Sequence, residues 1–328
     1  MNETKKALLE VRDLSVVFAS AGRWRKPVTA VNGVSFEIAR GETLGIVGES
    51  GSGKSTIARA VLGLVRPSAG QMLFEGQDIT YAGHRQRRKV AADLSVVFQD
   101  PYSSLNPALS IGTILAEPLI AQKVNRDTAR ERIGKLIADV GLPPDSIHRF
   151  PRQFSGGQRQ RIAIARALAV EPSLIICDEP VSALDLSIQA QIVNLLADIR
   201  DEFGLAMLFV AHDLSIVRHV AHRTAVVFHG SVMEVGPAEQ IYGNPLHPYS
   251  VALSAAALVP DPKLQRERRR ARSGLSRTPA QQTPTATTGC PFWSRCPERM
   301  SKCETVRPTL VRATNETSVA CHLYGEKV

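Results

Sequence analysis

A chain of 328 residues, 44% hydrophobic and 22% charged, has the make-up of a soluble globular protein of about two domains, long enough to bury a sizeable core. No apolar run approaches the ~18–20 residues needed to cross a bilayer, and no apolar stretch follows the first six residues, so neither a membrane span nor a secretory leader is expected and a cytoplasmic location follows. The net charge of +9 leaves nucleic acid or an anionic membrane surface open as partners, but residues 261–288 alone supply a net five of the nine charges, the seven of Lys263, Arg266, Arg268, Arg269, Arg270, Arg272 and Arg277 less the two of Asp261 and Glu267.

In chain order, residues 8–18 alternate and are rich in Val and Leu, which predicts a strand. Residues 22–27 read as an exposed basic loop, and 34–38 alternate again. The apolar run 43–47 then leads into Gly48-Glu49-Ser50-Gly51-Ser52-Gly53-Lys54-Ser55-Thr56 and a helical run over 57–62. Strand, glycine-rich turn and helix start, in that order, are what a phosphate-binding loop requires. Glycines let successive backbone N–H groups point at one anion, and the helix start adds the positive end of its dipole. Lys54 can reach the β- and γ-phosphates, and the Ser55 hydroxyl is placed to ligate Mg²⁺. The chain is therefore expected to bind a nucleoside triphosphate.

Residues 71–74 predict a short strand and 94–98 another, ending at Gln99-Asp100-Pro101. From 111 to 141 the pattern is helical, with Ile133, Ile137 and Val140 on one face and Gly141 as a stop. Ser155-Gly156-Gly157-Gln158 precedes a helical run over 162–168, with Ser155 where an N-cap belongs. That is a second anion-ready helix start, and one nucleotide does not need two. Residues 174–177 form an uninterrupted apolar run, expected for a strand buried on both faces, and end in Asp178-Glu179. After Asp185, an amphipathic helix places Ile188, Ile192, Leu195, Leu196 and Ile199 on one stripe, and Gly204 stops it. Strands over 205–211, ending in His212, and 225–228 continue the sheet. The alternation predicts an α/β fold whose ligand lies beyond the carboxyl ends of the strands, where Gly48, Gln99, Asp178 and His212 all fall.

These motifs closely resemble an ATP-binding-cassette (ABC) ATPase over residues 8–236, with Ser155-Gly156-Gly157-Gln158 as the most specific element. The wording of 98–107, of 178–191 and of Pro245-Leu246-His247-Pro248-Tyr249 is similar to the oligopeptide/dipeptide importer ATPases, nearer their F-type than their D-type subunit. The resemblance implies a P-loop NTPase core with an antiparallel β subdomain and a helical subdomain in 1–236, and a peptide-importer-type C-terminal extension in 237–328. It implies Asp178 as a Mg²⁺ ligand through water, Glu179 as general base, His212 at the γ-phosphate, and Gln99 as the sensor of Mg²⁺ and water. Phe18 would stack on adenine, although a strand Phe also suits the core. Ser155 and Gly157, with Gly156 and Gln158, would meet the γ-phosphate held by a second cassette, with Asp185 at the same seam. Two anion sites then make sense: two cassettes dock head to tail and ATP is sandwiched between them.

Cys290, Cys296, Cys303 and Cys321 follow the basic stretch, while Cys177 lies in a strand. Their spacings match no common zinc-finger pattern, and disulfides do not suit a reducing cytosol. Four thiolates do suit a tetrahedral Zn²⁺ or a [4Fe–4S] cluster, and the alternative is four reduced thiols. The tail resembles the extension of peptide-importer ATPases, some of which carry such a cluster. His222 and His229 depart from the residues usual at their places in the family and are expected to lie outside the nucleotide chemistry. The expected function is an ATP-hydrolysing subunit on the cytoplasmic face of the inner membrane. It would drive peptide uptake through separate permease subunits gripped near 99–117, with a D-type sibling ATPase and an external solute-binding protein. An importer of another small solute, such as nickel or a glycoside, and a soluble ABC ATPase acting on nucleic acid remain the alternatives.

Overall fold

The computed structural model describes residues 7–19, 27–256 and 288–325. The expected basic loop at 22–27, save Pro27, and the basic stretch at 261–288, save Thr288, lie outside the described residues.

β1 (Ala7–Phe18) and β2 (Val28–Ala39) form a long antiparallel pair. β3 (Thr43–Val47) is buried throughout and leads through residues 48–53 into α1 (Lys54–Leu62). β4 (Ala69–Phe74) returns alongside β1, and β5 (Gln77–Asp78) completes a four-stranded antiparallel sheet in the order β2-β1-β4-β5. α2 (His84–Val90) precedes β6 (Leu94–Val97). The helical section holds α3 (Pro101–Ser104), α4 (Ile111–Ala121), α5 (Arg126–Asp139) and α6 (Gly156–Leu168). The helical pattern over 111–141 resolves into two helices because Lys123 takes a positive φ and Asn125 starts a new one, its side chain accepting from the Thr128 N–H.

β7 (Leu174–Asp178), α7 (Leu186–Phe203), β8 (Ala206–Ala211), α8 (Leu214–Val220) and β9 (Arg223–Phe228) alternate as expected. β10 (Ser231–Pro237) turns back antiparallel to β9, followed by α9 (Ala238–Gly243) and α10 (Pro248–Ala256). The last described segment carries a 3₁₀ turn at Trp293–Arg295, α11 (Lys302–Thr305), β11 (Val311–Arg312) and β12 (Ser318–Val319). β12 pairs with β10, so the C-terminal extension is sewn onto the central sheet. That sheet runs β11-β12-β10-β9-β3-β8-β7-β6, with β9, β3, β8, β7 and β6 mutually parallel.

The side-chain period of two along the parallel strands sorts the core into two layers. Leu174 and Ile176 of β7, with Leu208 and Val210 of β8, face the antiparallel sheet and α1. Ile175, Cys177, Met207 and Phe209 face the helical section, where Ile133, Ile137 and Val140 meet them as one face of α5 and its end. Apolar on both faces, β7 and β8 sit centrally, and their carboxyl ends emerge at one edge. His222 closes the opposite end of β3: its Nδ1 accepts from the Thr43 N–H at 2.9 Å.

The β9–β10 turn joins β2 to the phosphate loop. Gly230 has φ +73°, its carbonyl accepts from the Asn32 N–H at 2.8 Å, and its N–H donates to the Ser52 carbonyl at 2.8 Å. A Cβ on Gly230 would lie 2.6 Å from the Ala30 carbonyl oxygen, which is backbone and has nowhere to retreat. Gly230→Ala is expected to lower unfolding stability by about 1–3 kcal/mol, read as a lower denaturant midpoint with the far-UV spectrum retained.

Candidate functional site

The phosphate loop is held in shape by its own lysine. Lys54 is 3% exposed, and its Nζ donates to the carbonyls of Gly48 and Glu49, both at 2.9 Å. Burial pushes its pKa down, while the charges of Glu179, Asp178 and Glu49 oppose that shift. The helix behind it begins at Gly53, which has no side chain to cap the open N–H groups of α1. Those donors are free for an anion, the arrangement expected where backbone must bind phosphate.

At the carboxyl edge of β7 and β8, Glu179 meets Lys54 and His212. Glu179 Oε1 lies 3.9 Å from Lys54 Nζ and Oε2 lies 3.7 Å from His212 Nδ1. Glu179 takes φ +50°, a costly position for a residue with a Cβ, and its N–H is tied to the Val210 carbonyl at 3.0 Å. Asp178, 4% exposed, ends β7 with its Oδ1 buried and without a hydrogen-bond partner. A buried carboxylate oxygen left open is costly unless a cation or its water shell satisfies it, so the residues fit Mg²⁺. Ser55, in the first turn of α1, and the exposed Gln99, just past β6, complete the candidate set.

The second anion-ready helix end is present. Ser155 caps α6: its hydroxyl accepts from the Gln158 N–H at 3.3 Å, and Gln158 Oε1 accepts from the Ser155 N–H at 3.0 Å. Ser155 is exposed, and Asp185 and Leu186 are exposed at the start of α7. Gly157 lets these two helix starts touch, since a Cβ there would lie 2.5 Å from Ile188 Cγ2. Among the described residues, no hydrogen bond or ion pair joins 155–158 to 48–56. Phe18, 44% exposed at the end of β1, is a surface ring and not a core one.

Sequence reasoning missed how the C-terminal extension reaches this site. Arg295 binds the Glu49 carboxylate with both arms of its guanidinium, Nη1 to Oε2 at 2.9 Å and Nη2 to Oε1 at 2.8 Å. The Glu49 N–H donates to the Tyr249 hydroxyl at 2.9 Å. The Pro245-Leu246-His247-Pro248-Tyr249 segment was legible as a family marker, yet no pattern in it announced a contact with residue 49. His229 was expected to lie apart from the nucleotide site; it stands in the electrostatic reach of Glu49, and burial lowers its pKa.

All five cysteines are free. Cys290, Cys296, Cys303 and Cys321 line one small cavity with His247 and His322. Burial pushes the thiols of Cys290 and Cys321 up and that of Cys296 to about 11. Among the described residues, no three His, Cys, Asp or Glu side chains are gathered to hold a metal. The donor set has the chemistry of a metal site; its arrangement does not.

A family model described as "ABC transporter" matches residues 31–182, and one described as "Oligopeptide/dipeptide transporter, C-terminal region" matches 233–303. The chain is 47% identical to the oligopeptide transport ATP-binding protein OppF of Salmonella typhimurium, over 94% of each chain. It is 46% identical to a putative peptide import ATP-binding protein of Brucella ovis, over 94% of this chain and 95% of that one. Among solved structures, cbiO1 from Clostridium perfringens, part of the ABC transporter complex cbiONQ, superposes with a TM-score of 0.65 at 28% identity, covering 73% of this chain and 91% of that one. The dimeric ATP-binding cassette MJ0796, bound to ADP and Pi, gives 0.63 at 28% identity, covering 70% and 98%.

Replacing Lys54 by Met removes the charged donor from the loop and from beside Glu179. ATP affinity of the variant, read by calorimetry, is expected to fall roughly 10- to 100-fold.

Proposed function

The chain belongs to the ABC transporter family, among its oligopeptide transport ATP-binding proteins, and from that premise we propose how its residues drive import. It is the ATP-hydrolysing subunit of a peptide ABC importer. The observation that carries the residue-level reading is the meeting of Lys54, Glu179 and His212 beside the open oxygen of Asp178, at the strand edge the phosphate loop occupies.

ATP is the substrate. Its phosphates would lie along the N–H groups of 48–56, drawing Lys54 from the loop carbonyls toward the β- and γ-phosphates. Ser55, Asp178 and Gln99 would hold Mg²⁺, which when bound neutralises charge on the phosphate oxygens. Glu179, fixed by its backbone bond to Val210, would take the proton of the attacking water, with His212 beside it to contact the γ-phosphate. Phe18 would cover the adenine. The exposed helix start at Ser155, with Gly156, Gly157 and Gln158 behind it and Asp185 alongside, would close the site of a second cassette. The dimeric relative bound to ADP and Pi supports that reading.

The finer proposals follow from the same premise. The second cassette is a D-type sibling, the permease grips the cleft near 99–117, and a solute-binding protein delivers the peptide from outside. The chain works at the cytoplasmic membrane face as a peripheral subunit; no helix among the described residues is long and apolar enough to cross a membrane. Residues 1–236 act as the nucleotide-binding unit and 237–328 as the extension. A metal at Cys290, Cys296, Cys303 and Cys321 rests on the donor chemistry of four cysteines that line one small cavity, and their side chains would have to move together to close around iron–sulfur or zinc.

Glu179→Gln keeps ATP binding and is expected to lower turnover about a hundredfold or more; steady-state phosphate release checks it, and undiminished hydrolysis would defeat the role given to Glu179. Anaerobically purified full chain should contain about one metal site's worth of iron or zinc. Elemental analysis that finds neither, in wild type and a Cys296→Ser control alike, rejects the metal proposal.

A further inference from the structure

Glu49 is the only acid between Gly48 and Thr56, and its carboxylate sits in a loop suited to a polyphosphate. Left unpaired, a negative charge there would oppose the substrate across a few ångströms. Here it is pinned twice from the C-terminal extension. Arg295 holds the side chain in a two-bond fork, the strongest geometry an arginine and a carboxylate can adopt. Tyr249 receives the main-chain N–H.

Both anchors are themselves fixed. The Arg295 guanidinium lies 5.5 Å from the ring centres of Phe228 and Phe292. Tyr249 is 1% exposed and packs 4.6 Å from Phe228 and 5.4 Å from Phe292, centre to centre. Its helix start is set by Glu234 of β10, whose fully buried carboxylate accepts from the N–H groups of Leu246 at 2.8 Å and His247 at 2.9 Å. His247 Nδ1 in turn accepts from the Tyr249 N–H at 2.9 Å. This chain of bonds gives the Pro245–Tyr249 motif a physical task.

The geometry points to Arg295 as a positioning residue for ATP: by neutralising Glu49 and fixing its carboxylate, it makes the C-terminal extension part of the nucleotide site. The inference rests on the phosphate-loop reading above. Arg295 directly precedes Cys296, and His247, whose Nδ1 accepts from the Tyr249 N–H, lines the four-cysteine cavity, so each anchor of Glu49 lies next to a residue that lines that cavity. The contribution comes from the chain's own tail, through an ion pair and not through contact with the substrate.

The test is a cycle of full-length variants: Arg295→Ala, Arg295→Lys, Glu49→Gln, and Arg295→Ala with Glu49→Gln. Mg·ATP affinity is measured by calorimetry on the purified chain, and KM and kcat on the chain copurified with its transporter. Arg295→Ala should raise Kd and KM roughly three- to tenfold while kcat stays within about twofold. Arg295→Lys, which keeps charge but loses the fork, should fall between. The deciding result is the double variant: removing the Glu49 charge should return affinity toward wild type. A double variant no better than Arg295→Ala, or an Arg295→Ala affinity equal to wild type, overturns the inference. Thermal unfolding without nucleotide identifies a variant that has merely lost its fold, and Arg295→Lys then carries the decision. A wild-type chain that binds no Mg·ATP would defeat the nucleotide-site reading itself, and with it this inference.

Discussion

Lys54 carries a full charge in a place almost closed to water, and the site is built around keeping that charge satisfied. An isolated ammonium in such a position would shed its proton or reject the fold. Two loop carbonyls and the carboxylate of Glu179 compensate it. The same three partners are weaker ligands than a polyphosphate, so the lysine is both stabilised and transferable. Each partner is fixed by something deeper: the loop by β3 and the β9–β10 turn, Glu179 by its backbone bond to Val210. That bond holds it in a left-handed backbone conformation which β7 would not otherwise adopt.

The parallel sheet explains why these groups meet at all. Strands that are apolar on both faces must lie in the middle of a layered fold, and right-handed crossovers bring their carboxyl ends to one edge. Asp178 and His212 are the residues at which β7 and β8 leave the core and reach polar surroundings. The open Asp178 oxygen and the uncapped start of α1 are complementary deficits, one seeking a cation and the other an anion. A magnesium-bound nucleotide is the species that answers both. The exposed start of α6, capped by Ser155, makes no hydrogen bond or ion pair to the chain's own phosphate loop among the described residues.

The C-terminal extension adds a feature that the nucleotide chemistry alone does not require. It enters the central sheet through β12 and places Tyr249 and Arg295 against one loop residue. The aromatic trio Phe228, Tyr249 and Phe292 makes this a packed junction, with edge and tilted ring contacts, in place of a loose surface pair. A salt bridge between mobile surface chains contributes little, but one whose arginine lies over two rings has already lost most of its freedom. Movement in the extension therefore has a short mechanical route to the phosphate loop.

Local pattern was enough to determine most strands of the nucleotide-binding core, its longer helices and the motifs, since period-two and period-3.6 burial, glycine turns and N-cap residues act over a few neighbours; the short helices at 84–90 and 238–243 and the strands at 231–237 and 318–319 were not read from it. The run 43–56, the apolar run 174–177 and the amphipathic stripe from Ile188 to Ile199 could each be read without partners. The division of the 111–141 helix at Lys123 was less visible, because a polar turn there breaks no apolar stripe. Only the tertiary structure decided which distant groups touch: Glu179 with Lys54 and His212, the four cysteines around one cavity, and above all Arg295 and Tyr249 on Glu49. Those pairings span up to 246 residues of sequence, and a charge or ring carries no mark of its partner. Burial and sheet closure choose it, and they are properties of the folded whole.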